Sequence, residues 1–387
     1  MSGFENNRTR QTFHPAAPLS RAHMPTDFAI SLDGYTRGRG VRIPDDFGPA
    51  QSLSGFDPEY RNIVDYIVRI THRIWETDES GVEYIADCYA PDSLVYDDYG
   101  LQTGSKKIVA DTHHTTGAYP GIILDAEEVI WAGNDQIGFH TSHLTRIQGK
   151  NTGPSRYGEA TGKDISVMVI ANCVALGNDI FLEHVLYNTS AMLEQLGIDL
   201  WEEAERLVGD PPAGWPRDNA LWDDLRAATA PRAPLSSAEP VEGFDPDRFA
   251  RDLHDNIWNG DGSIAAQSYK KGFAFEGTTN RAFEGHAAHA AYVSGLREAF
   301  PDLSLQVDEV YWMGNETDGW LISTRWSATG THTGGAVYRD PSGAYCQIWG
   351  ITQWRVEQGQ VAQEWQLFNE LDLMMQISAA RKRTASG

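Results

Sequence analysis

Cysteine is scarce, with three in 387 residues. Cys88, Cys173 and Cys346 stand far apart and form no C-x-x-C pair, which excludes a disulfide framework and a thiolate zinc knuckle. Cys173 lies in the apolar run Val169-Ile170-Ala171-Asn172-Cys173-Val174 and reads as a core thiol rather than a nucleophile. Basic charge is also short: 31 Lys and Arg face 54 Asp and Glu, a net charge of −23. Such a chain repels phosphate backbones and anionic headgroups, so neither nucleic acid nor a membrane surface is expected as a partner. No apolar run approaches a membrane span, and the first 30 residues hold no apolar signal core. A reducing cytoplasm is the expected location. There is no G-x-S-x-G elbow and no Gly-rich phosphate loop. No three ligands stand at a metal-binding spacing: His286 and His289 share a helix face but lack a third partner. No metal and no cofactor are expected.

What the sequence does hold is apolar and aromatic material, 41% hydrophobic with 12 Trp, 15 Tyr and 14 Phe, enough for packed cores. The length calls for more than one core. An internal repeat supplies the division. Glu128-Val129-Ile130-Trp131-Ala132-Gly133-Asn134 recurs as Glu309-Val310-Tyr311-Trp312-Met313-Gly314-Asn315, at an offset of 181 residues. The same offset links Gly104 to Gly285, Pro120 to Pro301, Tyr157 to Tyr338, Glu183 to Glu364, Asn188 to Asn369 and Gln195 to Gln376. Each copy opens with helical spacing, as in Ile63, Ile67, Ile70 and Ile74, and closes with strand-like runs, 122–132, 136–147, 164–176 and 179–188 in the first. Helices followed by an antiparallel meander predict an α+β unit with helices on one face of a sheet.

The second copy resembles the SnoaL-like polyketide cyclases of the NTF2-like superfamily. The resemblance is carried by Arg325-Trp326-Ser327-Ala328-Thr329-Gly330-Thr331-His332-Thr333-Gly334, and by Gly359–Trp365 running on to Leu371–Gln376. The first copy is similar through Tyr157–Gly162 and Glu194–Gly197. The resemblance implies two tandem cone-shaped α+β barrels, each with one pocket inside its sheet, pairing through their outer sheet faces as an intrachain pseudo-dimer. Further oligomerisation stays open. The expected division is an extended N-terminal arm at 1–57, a first SnoaL-like domain at 58–197, a linker with a short helix and several prolines at 198–243, and a second SnoaL-like domain at 244–380. The family's cyclases carry an acid–base Asp in the last strand; here that place is taken by Asn188 and Asn369, which cannot move a proton.

Another residue must then do so. The first copy holds His72, His113, His114, His140, His143 and His184, and His titrates near neutrality. His140 and His143 are three apart on a strand, so only one can face the pocket. His143 is the expected general base, supported by Glu183 or by Asp97 or Asp98. His114 is the second choice, and His140 the first if the strand phase is opposite. Trp75, Tyr96, His113, His184 and Asn188 are expected to line the first pocket. Trp258, Tyr269, Arg325, His332, Glu364 and Asn369 are expected to line the second, where Arg325 could hold a carboxylate. The expected function is a cofactor-independent acid–base enzyme, lyase, isomerase or hydrolase, acting on a small polar organic molecule. The alternative is a non-catalytic small-molecule binder.

Overall fold

A computed structural model describes residues 17–32, 48–76, 79–212, 215, 234–335 and 337–385. In the first copy, helix Ile63–Glu76 buries Ile63, Ile67, Ile70 and Ile74 along one stripe, as their spacing requires. Two short helices, Glu79–Glu83 and Ile85–Cys88, lead to strands β1 (Tyr89–Tyr96) and β2 (Leu101–Thr103). Helix Ser105–Ala118 follows, then β3 (Ile123–Asn134), β4 (Gly138–Lys150), β5 (Asp164–Leu176), β6 (Asp179–Leu186) and helix Thr189–Leu196. The second copy begins with helix Pro246–His254, which runs into a π-helical turn at Asp255–Asn259. It continues with β7 (Tyr269–Gly277), β8 (Arg281–Glu284), helix Gly285–Ala299, β9 (Ser304–Asn315), β10 (Gly319–Thr331), β11 (Tyr345–Glu357), β12 (Gln360–Phe368) and helix Glu370–Ala385.

The two six-stranded sheets have one strand order, β2-β1-β6-β5-β4-β3 and β8-β7-β12-β11-β10-β9. All neighbours are antiparallel except β1 with β6 and β7 with β12. The repeated Trp-x-Gly-Asn motif builds the β3–β4 and β9–β10 hairpins. Gly133 and Gly314 have φ of +99° and +114°, and a Cβ there would meet the carbonyl of Gly138 or Gly319 at 2.1 or 2.2 Å. Only glycine fits that approach. The Asn that follows caps the turn, Asn134 Oδ1 accepting from Gln136 and Ile137 N–H and Asn315 Oδ1 from Thr317 and Asp318 N–H.

The outer faces of the two sheets pack on each other. Tyr96, Leu144, Ile170 and Leu186 of the first copy bury against Trp349, Ile351 and Leu367 of the second. Polar clips cross the same interface. Gln353 Nε2 donates to Ser142 Oγ at 2.8 Å, and Arg355 Nη2 meets Glu128 Oε2 at 2.9 Å. The repeated Glu of the hairpin motif thus faces the partner copy in both cases, since Glu309 Oε1 lies 3.2 Å from His140 Nδ1. With both faces of a strand buried, polar residues on the outer face need partners of this kind.

Residues 17–32 lie across both copies. Trp131 Nε1 donates to Ile30 O, Gly314 N to Pro25 O, and Arg21 pairs with Asp245 at 2.8 Å. The rest of the proposed arm before residue 48, and Pro216 and Pro231 of the linker, lie outside the described residues. The linker helix is Leu200–Gly209, N-capped by Asp199, and Trp215 Nε1 beyond it donates to Asp372 of the closing helix at 2.7 Å. Among the described residues no helix is long and apolar enough to cross a membrane.

Candidate active site

The two cones differ inside. The first encloses a cavity of about 650 Å³ between the inner face of its sheet and its helices, whereas the second retains a void of about 30 Å³. The repeat register explains the difference. Where the first cavity is lined by Val95, Gln102, Asp111 and Thr145, the second copy places Phe275, Phe283, Tyr292 and Trp326. Their rings fill the space: Phe275 stacks on Phe283 at 4.3 Å and lies 5.1 Å from Tyr292. A filled interior of this kind is ordinary core packing.

The first cavity has aliphatic patches, from Ile67, Ile70 and Ile74 on the opening helix to Val167, Val169 and Val185 on the sheet. Six aromatic side chains join them: Trp75, Tyr89, Tyr99, Tyr119, Tyr157 and Tyr187. The apolar patches suit an apolar body. Polar groups are interspersed with them, among them Gln102, Asp111, Thr112, Thr145, His143 and Glu183. Glu183, on β6, is buried and accepts from Tyr89 Oη at 2.9 Å. Burial pushes its carboxyl from 4.5 up to about 7, against the bonds from Tyr89 and Cys173 and with a smaller push from Asp97. His143, on β4, lines the cavity and is held neutral, its imidazole driven down to about 3 by burial and by neighbouring His72. Its Nε2 has no hydrogen-bond partner among the described residues. His72 Nδ1 in turn lies 2.9 Å from Glu76 Oε2, and Glu76 Oε1 accepts from Leu124 N.

Asp97 and Asp98 stand where β1 ends. Asp97 accepts from Tyr99 and Gly100 N–H and from Gln102 Nε2 at 2.6 Å. Asp98 accepts from Thr189 Oγ1 at 2.6 Å. The second copy exchanges the roles of this pair, with Thr279 on the turn donating to Glu370 on the helix. The Tyr187 phenol is raised well above its usual range, by desolvation first and then by the charges of Glu183, Asp97 and Asp98. Over the cavity, Tyr99 Oη and Tyr157 Oη lie 2.8 Å apart, and Arg156 sits over the Tyr99 ring at 5.6 Å.

Of the residues singled out from sequence, the cavity gathers Trp75, Asp97, Asp98, His143 and Glu183, with His114 exposed at its edge. The structure turns the others elsewhere. His140 shares its strand face with Leu144 and packs edge-on to Tyr311 at the interface between copies. Tyr96 stacks on His184 at 4.9 Å, and His184 meets Trp349 edge-on, all in the same interface. His113 lies on the outside of its helix with Glu83 at 2.9 Å. Asn188 adopts a left-handed backbone, φ 49°, and accepts from Thr279 N of the second copy at 2.9 Å. In the second copy, Trp258, Tyr269 and Glu364 are core, Tyr269 Oη donating to Glu364 at 2.5 Å. Arg325 pairs with Asp308 at 3.0 Å on the face opposite Trp326, so it does not hold a ligand carboxylate. His332 bonds Ser342 Oγ at 3.0 Å in the β10–β11 connection. Asn369 accepts from Trp349 N and donates to Asp372.

His143 and Glu183 do not form a dyad. Glu183 is opposite Cys173, and His143 is opposite Ala171 on the same central strand. They are therefore two strands apart, about 10 Å across the sheet, and one inward row apart along it. Sequence reasoning passed over Tyr89, Tyr187 and Tyr157 as cavity residues. Tyr89 is the counterpart of Tyr269 one residue out of the common offset, and that near-match was the available signal. Among the described residues no group of three or more His, Cys, Asp or Glu is placed to hold a metal ion.

Residues 248–377 match the SnoaL-like polyketide cyclase family. Among solved structures, the chain is similar to a protein from Jannaschia sp. CCS1 described as a SnoaL-like polyketide cyclase, with 26% identity over 35% of this chain and 99% of that one, TM-score 0.32. It is also similar to IdmH from Streptomyces antibioticus, described as a polyketide cyclase, with 17% identity over 35% of this chain and 99% of that one, TM-score 0.31. No curated protein matches. The family match falls on the second copy, whose strand order the first copy repeats, so the chain is a tandem of two α+β domains of one topology, the second similar to the SnoaL-like polyketide cyclases.

Proposed function

We propose that the first copy is a cofactor-independent acid–base enzyme of the isomerase or lyase type, and that the second copy is its structural partner. The observation that carries this is Glu183, a carboxyl raised to about 7 and facing a 650 Å³ cavity. A base is most effective when its pKa lies near the working pH. Glu183 meets that condition and His143, at about 3, does not. The roles foreseen from sequence are thus exchanged. Glu183 takes a proton from a carbon acid, and Tyr89, already donating to it, steadies the carboxylate that forms the base. His143 stays neutral and offers a hydrogen bond to the oxygen on which negative charge develops. Apolar walls exclude water from that charge.

The test is deuterium exchange at carbons next to a carbonyl in a panel of aryl and cyclic ketones, followed by NMR. The wild type should catalyse exchange in at least one ketone, and Glu183→Gln should lose on the order of 10²–10⁴ of the rate. An unchanged rate in Glu183→Gln would remove Glu183 from the chemistry. A second reading, a binder without catalysis, is favoured by one observation. The same Glu–Tyr pair, Glu364 with Tyr269, persists in the filled cone, where no ligand fits, and its carboxyl is likewise raised to about 7. Binding of a ligand with no exchange in any ketone supports that reading.

A further inference from the structure

The connection between β4 and β5 forms part of the first cavity's wall. Pro154, Ser155, Arg156 and Tyr157 line the cavity, with Pro154 and Arg156 exposed and Tyr157 half-buried. Both ends of the connection are tied down. Asn151 Nδ2 donates to Gly153 O at 2.9 Å and Asn151 Oδ1 accepts from Thr161 N–H at 2.7 Å, while Gly153 N donates to Ala118 O at 3.1 Å. The tip is stiff, since Ser155 and Gly158 exchange backbone bonds of 2.9 and 3.2 Å. A stiff tip on fixed ends moves as one body. Tyr157 Oη joins that tip to Tyr99 Oη on the β1–β2 turn at 2.8 Å, and Arg206 Nη2 of the linker helix donates to Arg156 O at 2.8 Å.

The second copy fastens the same connection differently. Tyr338, the counterpart of Tyr157, is buried, and its Oη donates to Glu370 Oε1 at 2.7 Å. Glu370 is paired in turn with Arg281, Nη2 to Oε1 at 2.7 Å. At the common offset of 181 the first copy has Thr189 in place of Glu370 and Gly100 in place of Arg281. The carboxylate fastening has no counterpart there, and Tyr157 meets Tyr99. Desolvation raises both of these phenols above their usual range, so both are neutral. A hydrogen bond to an ionised group is roughly twice as strong as one between neutral groups. The filled cone thus carries the stronger fastening and the open cone the weaker one.

We propose that residues 154–158 are a lid on the first cavity and that the Tyr99–Tyr157 hydrogen bond is its latch, broken each time a molecule enters or leaves. This rests on the reading of the first cavity as the working site, and it adds how access to that site is controlled. A latch made of one neutral bond opens far more often than the domain unfolds. Phenylalanine at either end keeps the ring and removes the bond.

Cys173 supplies the readout. It lines the cavity, whereas the buried Cys88 and Cys346 are not among the lining residues. Burial raises the thiols of Cys173 and Cys88 alike well above their usual range, so the two form a matched pair. The full chain is treated with N-ethylmaleimide at pH 7.5, and modification of each cysteine is followed by peptide mass spectrometry. In the wild type Cys173 should react ahead of Cys88. Tyr157→Phe and Tyr99→Phe should each speed Cys173 about two- to tenfold, the worth of one neutral hydrogen bond, and leave Cys88 and Cys346 unchanged. The double variant should be no faster than the faster single one, because both changes remove the same bond. The proposal is overturned if Cys88 keeps pace with Cys173 in the wild type, if neither variant changes Cys173, if the double variant multiplies the two single effects, or if all three cysteines speed up together. If one variant fails to fold, the other removes the same bond from the opposite end, and the wild-type order still decides. The labelling needs no turnover. A failed lid with Glu183-dependent exchange intact would leave the acid–base reading standing, and a working lid with no exchange would do the reverse.

Discussion

Replacing Glu183 with Gln should stabilise the protein, and by an amount that grows with pH. The carboxyl is buried and its pKa rises from 4.5 to about 7 on folding. Below pH 4.5 the group is protonated in both the folded and the unfolded chain, so it sets no pH dependence. Between 4.5 and about 7 the unfolded chain gives up the proton and the folded chain keeps it. Stability present at low pH is therefore lost as pH rises through the folded value. The full loss is about 3 kcal/mol at 1.36 kcal/mol per pKa unit. Glutamine keeps the oxygen that accepts from Tyr89 Oη and carries no charge, so it escapes this loss. Urea denaturation of wild type and Glu183→Gln from pH 4.5 to 8 should show the variant's relative stability climbing by about 3 kcal/mol, with most of the rise between pH 5 and 7. A difference that stays flat across that range would mean the carboxyl is not perturbed, and the argument for Glu183 as the base would fall with it.

The interface between copies gives two further predictions. Trp349 is 1% exposed among Tyr96, His184 and Leu144; Trp349→Ala should cost about 3–5 kcal/mol, read as a lower denaturation midpoint, and a loss below 1 kcal/mol would mean the faces do not pack as described. Asn188→Ala removes the acceptor for Thr279 N and a residue tolerant of its left-handed backbone. It should lower stability by about 1–3 kcal/mol while leaving turnover near wild type, and a variant of normal stability without turnover would return Asn188 to the chemistry.

Much of this architecture was written in the repeat. A register of 181 residues holding from Gly104 and Gly285 to Gln195 and Gln376 carries one strand order twice, and the hairpin glycines explain why the motif is kept. Strand alternation said that His140 and His143 face opposite sides, and the structure puts His143 on the inward one. What alternation could not show was that the outer face is buried too. His140, Tyr96, His184 and Arg325 read as pocket candidates because a polar group in an apolar strand looks alike whether it meets a ligand or the other copy. Asn188 and Asn369 were compared with a catalytic position, yet their backbone and amide bonds make them clips. The filling of the second cone was present in the sequence: Val95 against Phe275, Gln102 against Phe283, Asp111 against Tyr292 and Thr145 against Trp326. It is read only once the register says which residues face inward. The opposite pKa shifts of His143 and Glu183, on which the proposed roles rest, needed three dimensions, since burial sets both and no local sequence reports it.

The most direct measurement of the central claim is the pH dependence of carbon-acid exchange in the wild type, Glu183→Gln and His143→Gln. Glu183 acts as a base only when ionised, so the wild-type rate should rise with pH to a plateau, with its midpoint near 7. His143→Gln should keep that midpoint at a reduced plateau, because an imidazole held down to about 3 does not titrate there. Glu183→Gln should lose the rise together with about 10²–10⁴ of the rate. A midpoint that disappears in His143→Gln and survives in Glu183→Gln would contradict the account and make His143 the base.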